Sequence, residues 1–205
     1  MARGKTKKWL RAHLSDDFVK QANQQGFRSR AAYKLLEIHQ KDQLLKNCKM
    51  VVDLGCAPGS WSQLARIHAP RARILGVDIL DMTPLEKVEF IRGDFTAQST
   101  FDAIVKSLGN QRADLVMSDM APNITGIRHA DQARSVALAE LALELAENII
   151  APGGAFLVKV FHGAGVDEFK KQLADRFGSV KVRKPKASKL QSSEHYLLAR
   201  NFYLV

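Results

Sequence analysis

Apolar and polar positions switch between two periods along most of this 205-residue chain. Short apolar runs bounded by Gly, Pro or Asp predict strands at 50–54, 73–77, 88–91, 114–118 and 155–160. Between them, apolar residues at helical spacing predict helices over 60–68, 100–108, 130–150 and 166–177. Two further helices, over 16–24 and 29–45, precede the first strand. Gly26 is placed to end the first and Ser29 to cap the second. In the longest helix, Glu140, Glu144 and Glu147 share a solvated face, with Leu138, Leu141, Leu145 and Ile149 opposite. Pro152-Gly153-Gly154 then ends the helix and starts a strand. After Gly178 the alternation changes, and 180–183 and 196–205 read as two strands with no helix between them. The expectation is a Rossmann-like α/β fold: a mostly parallel seven-stranded sheet flanked by helices and closed by a C-terminal antiparallel hairpin.

The stretch VVDLGCAPGSW, 51–61, is a strand, a tight loop and a helix start. Such a loop brings backbone N–H groups up to a ligand. Its spacing fits neither the dinucleotide fingerprint G-x-G-x-x-G nor a P-loop. Ligands of open α/β sheets sit beyond the C-terminal strand ends, and acids recur there: Asp53, Asp78, Asp94 and Asp119. Asp78, in GVDIL, is placed to accept from ribose hydroxyls and disfavours a 2′-phosphate. Asp94, in RGDF, is placed to meet an adenine amino group. Gly59 and Trp61 would supply a close backbone approach and an apolar wall. Lys159 interrupts the apolar strand LVKVF, where a buried ammonium needs partners or sheds its proton.

Charge adds a partner class. The formal net charge is +10, and it is uneven. Residues 1–46 carry eleven Lys/Arg against four Asp/Glu, and 181–189 carry five bases and no acid. Two basic blocks around a nearly neutral middle suggest a polyanion. Trp9, Phe27, Tyr33 and Tyr196 lie near those blocks and are candidates to stack on a base, with core packing the main role of most. Cys48 and Cys56 are too few for a disulfide framework. The six histidines are scattered, so no metal is expected. No apolar run reaches the ~18 residues of a membrane span, and no secretory signal is seen. A cytoplasmic monomer without membrane contact is expected. Residues 1–205 are expected to form one domain, with a flexible basic arm at 1–12, a helical polyanion-binding segment at 13–46 and a catalytic core at 47–205.

The loop GCAPGSW resembles the S-adenosylmethionine loop of methyltransferases, and of the FtsJ/RrmJ family in particular. Position 60 is Ser where some members carry a second Gly. Blocks RSRAAYKL, DLGCAPGSW, SDMAPN, LVKVF, VRKP and SSEHY occur in the family's order. The resemblance implies S-adenosylmethionine as methyl donor, contacted by Gly55, Gly59, Trp61, Asp78, Asp94 and Asp119. It also implies a catalytic tetrad of Lys34, Asp119, Lys159 and Glu194, with Lys159 as proton acceptor. The implied acceptor is the 2′-OH of a uridine in the A loop of large-subunit ribosomal RNA, on the assembled or nearly assembled subunit. Methylation of transfer RNA or an mRNA cap is the neighbouring alternative. A non-catalytic RNA-binding assembly factor is the alternative outside enzymes, and an intact glycine loop and tetrad speak against it. Absence of G-x-G-x-x-G disfavours a nicotinamide-dependent oxidoreductase.

Overall fold

The computed structural model describes residues 16–188 and 192–203. Trp9, His13, Lys189 and the basic arm 1–12 lie outside the described residues. Helix α1 (Asp17–Gln24) starts at Asp16, whose carboxylate accepts from the Phe18 N–H, and it buries Val19 and Ala22. Helix α2 (Ala31–Asp42) has the Ser29 hydroxyl accepting from the Ala31 N–H. It stops short of residue 45 because Gln43 takes a left-handed conformation, φ 53°, and donates its N–H to His39. The chain then folds back, and the Leu45 N–H donates to His39 Nδ1.

Seven strands form one sheet in the order β3-β2-β1-β4-β5-β7-β6. They are β1 (Met50–Leu54), β2 (Arg73–Asp78), β3 (Glu89–Arg92), β4 (Ala113–Ser118), β5 (Ile150–Phe161), β6 (Phe177–Arg183) and β7 (Glu194–Phe202). The first five are parallel, and β7 runs antiparallel to both its neighbours. The C-terminal strands do pair as an antiparallel hairpin, but its second strand inserts between β5 and β6. Leu197 and Ala199 of β7 join the core on one face of the sheet, and Tyr196 and Leu198 join it on the other. A strand apolar on both faces is buried by two neighbours, whereas β6 carries Lys181 and Arg183 and suits an edge.

Helices cover both faces. Leu35 and Ile38 of α2 pack with Trp61 and Leu64 of α3 (Ser60–His68) on one side. On the other lie α4 (Gln98–Leu108), α5 (Arg128–Ile149) and α6 (Val166–Ala174). The inward face of α5 includes Leu145 and Ile149 as expected and is completed by Val136, Ala139, Leu143 and Ala146, whereas Leu141 is 41% exposed. Small alanines let this helix lie close to the sheet. Helix α6 ends at Ala174, three residues before its expected end, because Phe177 pairs with Phe202 and starts β6. Pro152-Gly153-Gly154 does not precede β5 but bulges within it. The register passes from Ala113↔Ile150 to Leu115↔Ala155, so extra β5 residues face two steps of β4. Strand order reverses between β1 and β4, so their carboxyl ends open a crevice. Among the described residues, no helix is long and apolar enough to cross a membrane.

Candidate active site

The glycine loop leaves β1 into that crevice. Gly55 has φ +72°, and a Cβ there would lie 2.0 Å from Met120 Cγ, so only hydrogen fits. Asp78 shapes the same loop: one carboxylate oxygen accepts from the Ala57 N–H and the other from the Leu80 N–H, both at 2.8 Å. Asp94 accepts from the N–H and hydroxyl of Thr96, which hold its carboxyl below the usual range. Gly55, Asp78, Asp94, Asp119, Met120 and Asn123 line one cavity of about 610 Å³. Four of the six residues expected around a nucleoside cofactor are therefore brought together.

Gly59 and Trp61 do not line it. Gly59, φ +103°, lies under Met82 and Leu85, where a Cβ would come within 2.7 Å of the Met82 sulfur. Trp61 is 3% exposed, its indole N–H donates to Ala31 O at 2.8 Å, and its ring packs 5.7 Å from that of Tyr196. Residues 61, 64 and 65 share the buried face of α3, which turns the indole toward α2 and β7. Trp61 therefore buttresses the loop and walls, with Gly55 and Asp119, a small cavity of about 60 Å³ beside the larger one.

The four residues of the expected tetrad converge from α2, the end of β4, β5 and the start of β7. Lys159 Nζ lies 3.0 Å from Asp119 Oδ1 and also donates to the Asp119 main-chain carbonyl. Lys34 Nζ lies 2.9 Å from Glu194 Oε1 and 3.9 Å from Asp119 Oδ1. Two ammonium groups and two carboxylates thus form one balanced cluster, with Lys159 only 7% exposed. Burial opposes ionisation of Glu194, but Lys34, the Ser188 hydroxyl and Lys159 together outweigh it and bring the carboxyl below its ordinary value. Sheet parity explains the meeting. Leu157, Tyr196 and Leu198 belong to the α2-side core, so Lys159 and Glu194, two residues away on their strands, point the same way.

Three further residues contribute in roles the sequence does not signal, although Asp53 stands out there as an acid at a strand end and Tyr196 as a candidate for stacking. Tyr196 lies opposite Lys159 in the β5–β7 register, and its hydroxyl donates to Asp119 Oδ1 at 2.6 Å. Burial pushes the phenol well above its ordinary pKa, so it remains a donor. Its two-residue spacing from Glu194 on a strand is the one available clue. Asp53 is buried beneath the loop and accepts from the Ser62 hydroxyl at 2.6 Å; burial raises its carboxyl to about 7. The Arg28 guanidinium donates to the carbonyls of Pro58, Thr83 and Pro84, bracing the loop from the α1–α2 linker. Tyr33 is also buried, between Phe18 and Phe27, and with Tyr196 is taken up by core packing instead of base stacking.

A second cavity, of about 170 Å³, is lined by Ser29, Arg30, Lys34, Ser192 and Glu194. The ionic cluster therefore spans two cavities, with Asp119 on the larger and Lys34 and Glu194 on the smaller. Among the described residues, no group of three or more His, Cys, Asp or Glu is arranged to hold a metal.

The sequence pattern of the family described as FtsJ-like methyltransferase matches residues 27–202, from the α1–α2 linker to the end of β7. The chain belongs to that family. Ribosomal RNA large subunit methyltransferase E of Marinobacter nauticus is 52% identical over 204 residues, 98% of this chain and 99% of that one. The proteins of the same description from Pseudomonas aeruginosa and Methylobacillus flagellatus are 50% and 53% identical, over 98% and 94% of this chain and 99% and 94% of their own. Among solved structures, a Plasmodium falciparum chain described as a ribosomal RNA methyltransferase superposes with a TM-score of 0.78. It is 31% identical, over 86% of this chain and 98% of that one. Human methyltransferase-like protein 13, in complex with SAH, shares the fold at a TM-score of 0.55 and 16% identity, over 82% and 78% of the two chains. The FtsJ-like assignment agrees with the fold expected from the sequence.

Proposed function

We propose that this FtsJ-like methyltransferase methylates the ribose 2′-OH of a uridine in the A loop of large-subunit ribosomal RNA. The observation that carries the reading is the ionic cluster of Lys34, Asp119, Lys159 and Glu194 between two cavities. The relatives that match nearly end to end are described as acting on large-subunit ribosomal RNA, which sets the substrate class.

The larger cavity suits S-adenosylmethionine: it has room for a nucleoside, acids at its ends, and a glycine that permits close backbone approach. Asp78 and Asp94 would hold the nucleoside, with Gly55 and Asp119 nearer the methyl-bearing end. When bound, S-adenosylmethionine supplies an electrophilic methyl group. The chain's own work is to hold and deprotonate the acceptor. Lys34, fixed by Glu194, positions the ribose from the smaller cavity. Asp119, held by Tyr196, aims Lys159, whose Nζ takes the hydroxyl proton in its neutral amine form, after an ammonium proton has been released. Such positioning replaces a bimolecular encounter, and a placed base contributes about 10²–10⁴-fold.

Residues 1–205 act as one unit in this reading. The arm 1–12 and segment 13–46 track RNA backbone, with help from the bases of 181–189. The enzyme works as a cytoplasmic monomer on assembled or nearly assembled large subunits.

The test is radiolabelled methyl transfer from S-adenosylmethionine to under-methylated large subunits, naked ribosomal RNA and transfer RNA, followed by mapping of the product. Label on an A-loop uridine ribose is expected. Label on a base, or on transfer RNA alone, overturns the assignment.

A further inference from the structure

Beyond Asn123, which walls the larger cavity, the chain makes a turn before α5. That turn is braced. Asp131, buried in the first turn of α5, accepts from the N–H of Thr125 at 2.8 Å, its hydroxyl at 2.7 Å and the N–H of Gly126 at 3.0 Å. The Thr125 hydroxyl oxygen accepts in turn from the Ile127 N–H, and the Asp131 N–H donates back to the Ile127 carbonyl. Gly126, φ +84°, lets the chain reverse.

This scaffold carries Ile124 and Ile127, which are 69% and 65% exposed. No other large apolar side chain among the described residues is as exposed. Arg128 and Arg134 follow on the same helix start. Both are exposed, and neither has an ion-pair partner among the described residues. Ile124 and Ile127 are presented by a turn that the Asp131 carboxylate holds through three hydrogen bonds. An apolar pair beside exposed guanidinium groups, Arg128 foremost, complements single-stranded RNA, whose splayed bases offer apolar faces next to phosphates. An acidic protein surface would satisfy the arginines but not the isoleucines.

We propose that turn 124–128 is an RNA-docking element: Ile124 and Ile127 pack on bases flanking the acceptor nucleotide, and Arg128 contacts a phosphate. The inference rests on the RNA methyltransferase reading and adds a contact on the side of the site opposite the basic N-terminal segment.

The test measures binding and single-turnover methylation of naked A-loop RNA and of under-methylated large subunits by the full chain, across a salt series. Ile124→Ser/Ile127→Ser should weaken binding of both RNAs about 10-fold or more, with the salt slope unchanged. Arg128→Ala should lower the salt slope by about one. S-adenosylmethionine affinity and thermal midpoint should match wild type in both variants, since neither site lines the cavity. Unchanged RNA affinity in the double variant, with wild type active, overturns the inference alone. No transfer to RNA by wild type overturns the underlying reading as well. A loss seen only on subunits assigns the turn to a ribosomal protein and overturns the RNA contact.

Discussion

Tyr196 and Asp119 share one short hydrogen bond, 2.6 Å from phenol to Oδ1, on the same oxygen that Lys159 meets at 3.0 Å. A partly buried carboxylate that pairs with a lysine at this distance needs a second donor to fix its direction. Tyr196 supplies it from β7, directly across from Lys159 on β5.

Tyr196→Phe keeps the ring against Trp61 and removes only the donor. Single-turnover methylation should slow about 10-fold, with S-adenosylmethionine affinity changed less than twofold. A rate equal to wild type in rapid-quench assays would show that Lys159 alone orients Asp119.

Lys159→Met preserves much of the side chain's volume and deletes its charge. Methyl transfer should fall by about 10² or more, the share of a placed base. Asp119 then keeps Tyr196 and the more distant Lys34, so the variant should fold but lose about 3 kcal/mol in urea titration. Activity close to wild type would exclude Lys159 as the proton acceptor.

Gly55→Ala places a methyl group where Met120 already sits, at a positive φ. Met120 or the loop must move, and S-adenosylmethionine binding by calorimetry should weaken at least 10-fold. Gly126→Ala is the matched control, since its Cβ would meet nothing within 4 Å and only its φ is strained.

Asp53 offers a pH test of burial. Its carboxyl titrates near 7 in the folded chain, above the unfolded value of about 3.9. The folded state retains a proton that the unfolded state has released, so this group lowers stability as pH rises from about 4 to 7. Asp53→Asn removes that dependence. Its stability relative to wild type should be about 2–3 kcal/mol more favourable at pH 8 than at pH 5 in urea titrations. Any cost of placing an amide beside Ser62 cancels in the difference.

Asp42 behaves in the opposite sense. Its two oxygens accept from Arg183 at 2.7 and 2.6 Å, tying the end of α2 to β6. Those hydrogen bonds hold its carboxyl below the usual range. Their contribution is present above about pH 4 and is lost as pH falls through the depressed folded value. Asp42→Asn should cost about 1–3 kcal/mol at pH 7, narrowing toward pH 3 by the same titration.

Much of the site was legible because its signals are local. A lysine inside LVKVF breaks an apolar strand wherever that strand lies, and GCAPGSW is a turn whatever packs on it. Asp78 and Asp94 follow strands whose ends are marked by the chain itself. Trp61 was less legible, since its neighbourhood is set by which face of α3 is buried. Tyr196 reads as a core aromatic, and it is one; its second role appears only when β7 lies beside β5.

The local alternation of apolar and polar residues determined the strands, the glycine loop and the identity of the charged residues at the crevice. Tertiary structure decided which strands are neighbours. Side-chain alternation says that Glu194 and Tyr196 share a face, but not what that face meets. Insertion of β7 between β5 and β6 brings them to Lys159, Asp119 and Lys34, because a strand apolar on both faces is stable only with a neighbour on each side and helices above and below. That burial is non-local, summed over elements far apart in the chain, and no window of the sequence contains it.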